Sequence, residues 1–180
     1  MNAEYHPQNV FQYCPSCGAQ NLCKHSFKSI QCASCGFLFF VNPAAAVAAV
    51  IINSADEVLL TKRAFEPAKG MYDLPGGFVD PGETAEHALK REIAEELHVD
   101  VTAYSYFASF PNEYVYNGLL YYTVDMVYFC DISSTQEMCP ADDVSDVIFL
   151  PISETLISQV GLPSIKNILY AVKNRIESLA

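Results

Sequence analysis

Three glutamates and an arginine, in the run Arg91-Glu92-Ile93-Ala94-Glu95-Glu96, are the residues of this chain best suited to chemistry. At about 3.6 residues per turn, Glu92 and Glu96 lie one turn apart and Glu95 falls three residues from Glu92, so all three carboxylates share one flank of a helix. Clustered acids repel one another, and a helix gains nothing by holding them together unless a cation lies between them. Hard divalent ions take oxygen ligands of this kind. The glycines of Leu74-Pro75-Gly76-Gly77 stand in front of this helix, where they permit backbone conformations closed to other residues and can turn a carbonyl toward a metal. Arg91 can neutralise and orient one glutamate, with Glu83 as a mate across the loop.

A second set of metal-type residues lies near the N-terminus. Cys14-Pro-Ser-Cys17-Gly18 and Cys32-Ala-Ser-Cys35-Gly36 are two C-x-x-C-G turns. Two thiolates on each turn can converge on one tetrahedral Zn²⁺, and the glycine after each pair lets the turn close around the ion. Four thiolates leave no open coordination position, so this zinc ribbon is expected to be structural. Cys23, Cys130 and Cys139 have no partner in the pattern and read as small apolar residues. Residues 1–42 carry Lys24 and Lys28 against Glu4, which gives no basic stripe to follow a phosphate backbone. Tyr13, Phe27, Phe37, Phe39 and Phe40 read as packing for a unit too small to build a large core, and the expected role is a scaffold or a homodimer contact.

Composition narrows the classes. The net charge of −11 over 180 residues argues against a general nucleic-acid binder. No run of about 18 apolar residues suggests a membrane span, and the first residues lack the basic start and apolar core of a secretion signal. The expected location is the cytoplasm, where thiols stay reduced. No Lys or Arg occurs between Arg91 and Lys166. A phosphate-bearing substrate would find little cationic help there, and metal ions would have to neutralise it.

The elements that must position these residues begin at Asn42-Pro43, which separates the ribbon, 1–42, from a larger domain, 43–180. Residues 44–52 read as a buried strand and 58–63 as a second. Lys62 and Arg63 end that second strand, as a solvated strand end or as contacts to substrate phosphates, with Lys69 a weaker contact of the same type. Thr84 is the expected N-cap of a helix running to Leu97 or His98, with Ala85, Ala88, Leu89, Ile93 and Leu97 on its apolar side. Residues 101–110 and 119–130 read as strands joined by a turn at Asn117-Gly118. Tyr114, Tyr116, Tyr121 and Tyr122 cluster around that hairpin, where they pack or stack on a purine. A short strand is expected over 147–150, a helix capped by Ser153, and a last helix starting at Ser164 with an apolar stripe of Leu162, Ile165, Ile168, Leu169, Val172 and Ile176.

The stretch from Gly77 to Val99 resembles the Nudix box, G-x5-E-x7-R-E-U-x-E-E-x-G-U, where U is a bulky aliphatic. Gly77, Glu83, Arg91-Glu92, Ile93, Glu95-Glu96 and Val99 fall on its defining positions, and His98 stands where the pattern has glycine. That glycine ends the helix, and His is one of the few other residues tolerated at positive φ. The resemblance implies an α/β/α sandwich with a mixed sheet that hydrolyses the pyrophosphate bond of a nucleoside diphosphate linked to another moiety. It implies Mg²⁺ or Mn²⁺ held chiefly by Glu92 and Glu96, with Glu95 as ligand or base, the Gly77 carbonyl as a further ligand and Arg91 orienting the glutamates. It also implies an extra acid beyond the box, for which Asp143 in Asp142-Asp143-Val144-Ser145-Asp146 is the first choice, a solvated acidic loop being the other reading. Lys62, Arg63, Glu83 and Tyr116 are the expected substrate contacts. The ribbon before the domain further resembles the NADH pyrophosphatase branch. Of that branch's S-Q-P-W-P-F-P-x-S signature only the S-x-P frame of Ser109-Phe110-Pro111 is kept, so ADP-ribose, nucleotide sugars and dinucleoside polyphosphates stand beside NADH as substrates. The rival class is a nucleotide-sensing regulator whose ribbon contacts a partner; such proteins usually lose box glutamates, and this chain keeps them all.

Overall fold

The computed structural model describes residues 3–134 and 138–178. The chain forms two compact units: the residues up to Pro43 together with the hairpin tip Glu113–Tyr122, and Ala44–Asn112 with the residues from Thr123 onward. The division is therefore not one cut in the sequence, because a long hairpin contributes its tip to the ribbon unit.

In the first unit a helical turn and α1 (Pro7–Val10) precede three antiparallel strands, β1 (Leu22–Ser26), β2 (Ser29–Cys32) and β3 (Leu38–Phe40), in that spatial order. So small a unit buries little apolar surface, and polar and aromatic contacts supplement it. The Gln8 amide reaches the carbonyls of Phe27 and Ser29, each at 3.2 Å, and that of Ser26. Phe11 meets Phe39 edge-on at 5.6 Å, and His6 lies against Phe27 and Tyr122.

The second unit is an α/β/α sandwich. Its strands are β4 (Ala44–Val50), β5 (Glu57–Arg63), β6 (Tyr72–Asp73), β7 (Val101–Tyr116), β8 (Leu119–Ile132) and β9 (Val144–Pro151). They form two three-stranded sheets, ordered β4-β8-β7 and β6-β5-β9. The pairing is mixed: β4 runs parallel to β8, and β5 runs antiparallel to β6 and β9. Alternation along each strand splits the core in two. Ala48, Val50, Val58, Leu60 and Val127 face α3 (Glu154–Ser158) and α4 (Pro163–Glu177), while Val47, Ala49, Ile51, Leu59 and Tyr128 face α2 (Ala85–Leu97). Among the described residues no helix is long and apolar enough to cross a membrane.

Several elements differ from the sequence reading. β7 runs to Tyr116 instead of stopping at Phe110, passing through Pro111. It is the outer strand of its sheet, so the amide that proline lacks is not needed by a neighbour. β9 starts at Val144, three residues before the expected Val147. The last helix begins with Pro163 after Leu162, since a proline in the first turn has no partner to lose, and Ser164 lies buried within that turn. Of the three remaining cysteines only Cys130 joins the core; Cys23 and Cys139 are exposed.

Candidate active site

β4 carries both parts of the site. The amides of Val47 and Ala49 donate to the carbonyls of Gly77 and Pro75, each at 2.8 Å, and Val79 N–H donates to the Ala45 carbonyl at 3.0 Å. The glycine loop thus lies along one edge of β4 while β8 pairs with the other. Helix α2 packs on a face of the same strand through Ala88, Leu89, Ile93 and Leu97. Gly76 has φ 143°, and a Cβ there would overlap the Val47 carbonyl; a Cβ on Gly77 would overlap the Glu92 carboxylate. The glycine pair is needed because the loop is pressed between a strand and a glutamate.

Thr84 caps α2 by accepting from His87 N–H at 3.2 Å. At the other end His98 has φ 58° and ψ 31°, the left-handed conformation the box glycine would supply, and its amide donates to the Ala94 carbonyl at 3.1 Å. The helix's last carbonyls are met from outside: Ala141 N–H donates to the Glu96 carbonyl at 3.0 Å and Cys139 N–H to that of Leu97 at 3.1 Å. This docking brings Asp143 close enough to Glu96 for the two carboxylates to act on one another.

Glu96 is buried, and one of its oxygens accepts from Gly76 N–H at 2.9 Å. Burial pushes its carboxyl up to about 9; the Gly76 amide opposes this, and the charges of Asp143 and Glu92 add to it. Burial also raises Glu92, against the pull of Arg91. The Arg91 guanidinium is the hub of the loop and helix. Its Nε and Nη2 grip Glu83 at 3.0 and 2.8 Å, its Nη1 reaches Glu92 at 2.9 Å and Glu95 at 3.1 Å, and Nη2 also donates to the Phe78 carbonyl at 3.0 Å. The bidentate grip holds Glu83 below the usual carboxylate range, and Glu83 in turn accepts from Asp80 N–H.

The three box glutamates therefore do not converge on one point. Arg91 stands between Glu92 and Glu95, and Glu96 turns inward to Gly76 and Asp143. Glu96, Glu92 and Asp143 are near enough for their charges to repel one another, an oxygen-only set whose chemistry fits a hard divalent cation. Their oxygens are not drawn into a closed ligand group in the way the four cysteine sulfurs are. The Gly77 carbonyl uses one lone pair on Val47. Glu83 is taken up by Arg91. Arg63 is committed to Asp73, at 2.6 Å, and to the Pro67 carbonyl. Lys62 lines a cavity of about 310 Å³ with Gly70, Met71, Tyr72, Ser158 and Gln159. Tyr116 lies in the hairpin tip of the first unit, beside Tyr121.

In that first unit the sulfurs of Cys14, Cys17, Cys32 and Cys35 all lie within 4.8 Å of one another, the one such metal-ligand group of three or more among the described residues. The Cys14–Cys35 and Cys17–Cys32 separations are 3.7 and 3.8 Å. A tetrahedron with metal–sulfur bonds of about 2.3 Å has edges of about 3.8 Å, which these two separations match. The two turns are alike: Gly18 and Gly36, both with positive φ, donate to the Cys14 and Cys32 carbonyls at 2.9 Å. Burial disfavours the Cys32 thiolate, yet the amides of Cys35 and Ser34 pull it down to about 7. Cys17, despite the Ala19 amide, is pushed up to about 12 by the neighbouring thiols, so the four sulfurs titrate as one group.

A buried polar group on β5, β6 and β8 escaped the sequence reading. Asp73 accepts from Arg63 and from Leu74 N–H, and Asp125 accepts from the Thr123 hydroxyl at 2.6 Å. The one available signal was an acid, Asp125, at an inward position of an otherwise apolar strand.

The NUDIX domain family model matches residues 42–168. The chain belongs to the Nudix family. The NAD-capped RNA hydrolase NudC of Vibrio vulnificus is 33% identical over 108 residues, covering 59% of this chain and 40% of its own length. The protein of the same name from Haemophilus influenzae is 32% identical over 110 residues, with the same coverage. The chain thus matches about two fifths of the length of these relatives. Among solved structures, a NUDIX hydrolase from Nitrosomonas europaea superposes with a TM-score of 0.65 over 88% of each chain at 21% identity, which bears on the fold alone. The NUDIX domain of Shewanella oneidensis NrtR, crystallised with ADP ribose, has a TM-score of 0.59 at 26% identity, covering 78% of this chain and 91% of that one.

Proposed function

We propose that this Nudix protein is a hydrolase that cleaves the pyrophosphate bond of a nucleoside diphosphate linked to a second moiety, with Mg²⁺ or Mn²⁺ at the Glu96, Glu92 and Asp143 carboxylates. The observation that carries the reading is Glu96: a carboxylate buried against Asp143 and fixed by the Gly76 amide is costly unless a cation completes it. The bound cation supplies charge neutralisation and acidifies the attacking water. The chain's residues do the rest. Gly76 N–H fixes the rotamer of Glu96. Arg91 clamps Glu83, Glu92 and the Phe78 carbonyl, so loop and helix move as one body. Glu95, half-exposed, is placed to accept a proton or to join the metal, and the second lone pair of Gly77 is a further ligand site. Lys62 is the cation assigned to the substrate's phosphates, with Arg63 acting through Asp73.

NudC relatives named as hydrolases of NAD-capped RNA, and a NUDIX domain crystallised with ADP ribose, support substrates in which a nucleotide is joined through a diphosphate. The ribbon is assigned a structural Zn²⁺, and the reduced thiols that such a site requires suit the cytoplasm. The test is Mg²⁺-dependent release of mononucleotide from NADH, ADP-ribose, nucleotide sugars and dinucleoside polyphosphates. Hydrolysis of at least one is expected. Tight nucleotide binding with no turnover on any of them would favour the sensor instead.

A further inference from the structure

The buried polar group beside the glycine loop holds one acceptor, the side-chain oxygen of Asn112, that no donor among the described residues reaches. Asp73 is satisfied, with Leu74 N–H on Oδ1 at 2.8 Å and Arg63 on Oδ2 at 2.6 Å. Asp125, also buried, receives among the described residues the Thr123 hydroxyl on Oδ1, and its charge reaches Asp73. Asn112 is 7% exposed, and its Oδ1 has no hydrogen-bond partner. A two-residue turn at Asn117-Gly118 pairs residue 116 with 119 and hence 112 with 123, a register in keeping with the Tyr114–Tyr121 stack at 5.8 Å. Asn112, Thr123 and Asp125 therefore share one face of β7 and β8. Asn112 and Asp125 are diagonal neighbours, about 7–8 Å apart at the backbone and closer at their tips. A buried amide oxygen with no donor, beside a carboxylate that accepts from one neutral hydroxyl, is an arrangement able to take up N–H groups. Asp73 opens the segment that leads through Leu74 and Pro75 to Gly76, about 10 Å of chain, which is comparable to the reach from a nucleobase to its phosphates.

We propose that Asp125 and Asn112 form a nucleobase-recognition site for the exocyclic amino group of the substrate's base. The inference rests on the nucleotide-hydrolase reading above. An amino group brings two N–H donors, one for the Asp125 carboxylate and one for the Asn112 oxygen. An oxo group at the same position would set a lone pair against both acceptors, so amino-bearing bases are selected and oxo-bearing ones rejected.

The experiment is calorimetric titration of the 180-residue chain with AMP and with IMP, which differ in the group at this position and in the proton on the adjacent ring nitrogen, in the presence of Mg²⁺. AMP is expected to bind at least about tenfold more tightly than IMP. Asp125→Asn, which places a donor where the acceptor stood, is expected to bring the ratio to near unity or invert it, and Asn112→Leu to reduce it several-fold. Equal affinities in the unsubstituted chain, or no AMP binding at millimolar concentration, would overturn the proposal and leave the cluster as a structural one closed by buried water. That comparison needs no variant, so a fold lost in Asp125→Asn does not affect it. Selective AMP binding without hydrolysis of any diphosphate would defeat the hydrolase reading alone; hydrolysis with no preference between adenine and hypoxanthine substrates would defeat the base site alone.

Discussion

Two side chains at the site carry opposite burdens. Burial pushes the Glu96 carboxyl up to about 9, outweighing the Gly76 amide it accepts from. Its folded value lies above the ordinary carboxylate value of about 4.3, so its contribution to stability is fully present below that pH and is lost as the pH rises through 9. In magnesium-free buffer the chain is therefore expected to lose stability from pH 5 to pH 9, more steeply than Glu96→Gln, as read by urea denaturation at several pH values. The same substitution is expected to lower Mg²⁺-dependent turnover by about 10³-fold or more while leaving the fold intact; unchanged turnover would remove Glu96 from the site. Binding of Mg²⁺ to the unsubstituted chain near pH 7 should release a proton, visible as buffer-dependent heat in calorimetry. Arg91 bears the reverse burden, one cation serving Glu83, Glu92, Glu95 and a carbonyl. Arg91→Lys keeps the charge and loses the fork, so turnover is expected to fall about 10–100-fold with a higher Mg²⁺ requirement. Full activity in that variant would show that the grip on Glu83 has no bearing on catalysis.

At the scale of elements, the loop and helix are fixed at three places: the glycine pair against β4, the Thr84 cap and the His98 terminus. His98 stays in the left-handed region, where a β-branched side chain would clash with the following carbonyl. His98→Val is expected to cost about 1–2 kcal/mol, or some 2–4 °C in melting temperature per kcal/mol, while His98→Gly melts at or above the parent temperature. A neutral valine variant would mean that the terminus unwinds without consequence. Helix α2, its cap and its end were legible because 3.6-residue periodicity and cap residues are local signals. The extent of β7 was not. Pro111 and Asn112 break the alternation there, and only pairing with β8 on one side, with no strand on the other, makes a proline tolerable.

At the scale of the molecule, the first unit is built around its four-cysteine cluster and the second around two hydrophobic cores. Elemental analysis is expected to give about one zinc per chain. Stripping it should collapse the amide resonances of the first unit while those from the second unit's core persist. Retention of the first unit's resonances without metal would show that its aromatic contacts suffice.

The sequence by itself determined the chemistry's raw materials: the box acids, Arg91, the glycine pair and four cysteines at metal-ligand spacing, all set by contiguous residues. It also determined that His could replace glycine at the helix end. Tertiary structure decided how those parts are used. Arg91 separates Glu92 from Glu95, Asp143 is carried to Glu96 by amides that satisfy the helix's last carbonyls, and Arg63 is drawn away to Asp73. It also set Asn112 and Asp125 on one buried face. These outcomes depend on groups brought together from distant parts of the chain, where burial and competing donors set each charge's partner, and residue spacing alone does not encode that competition.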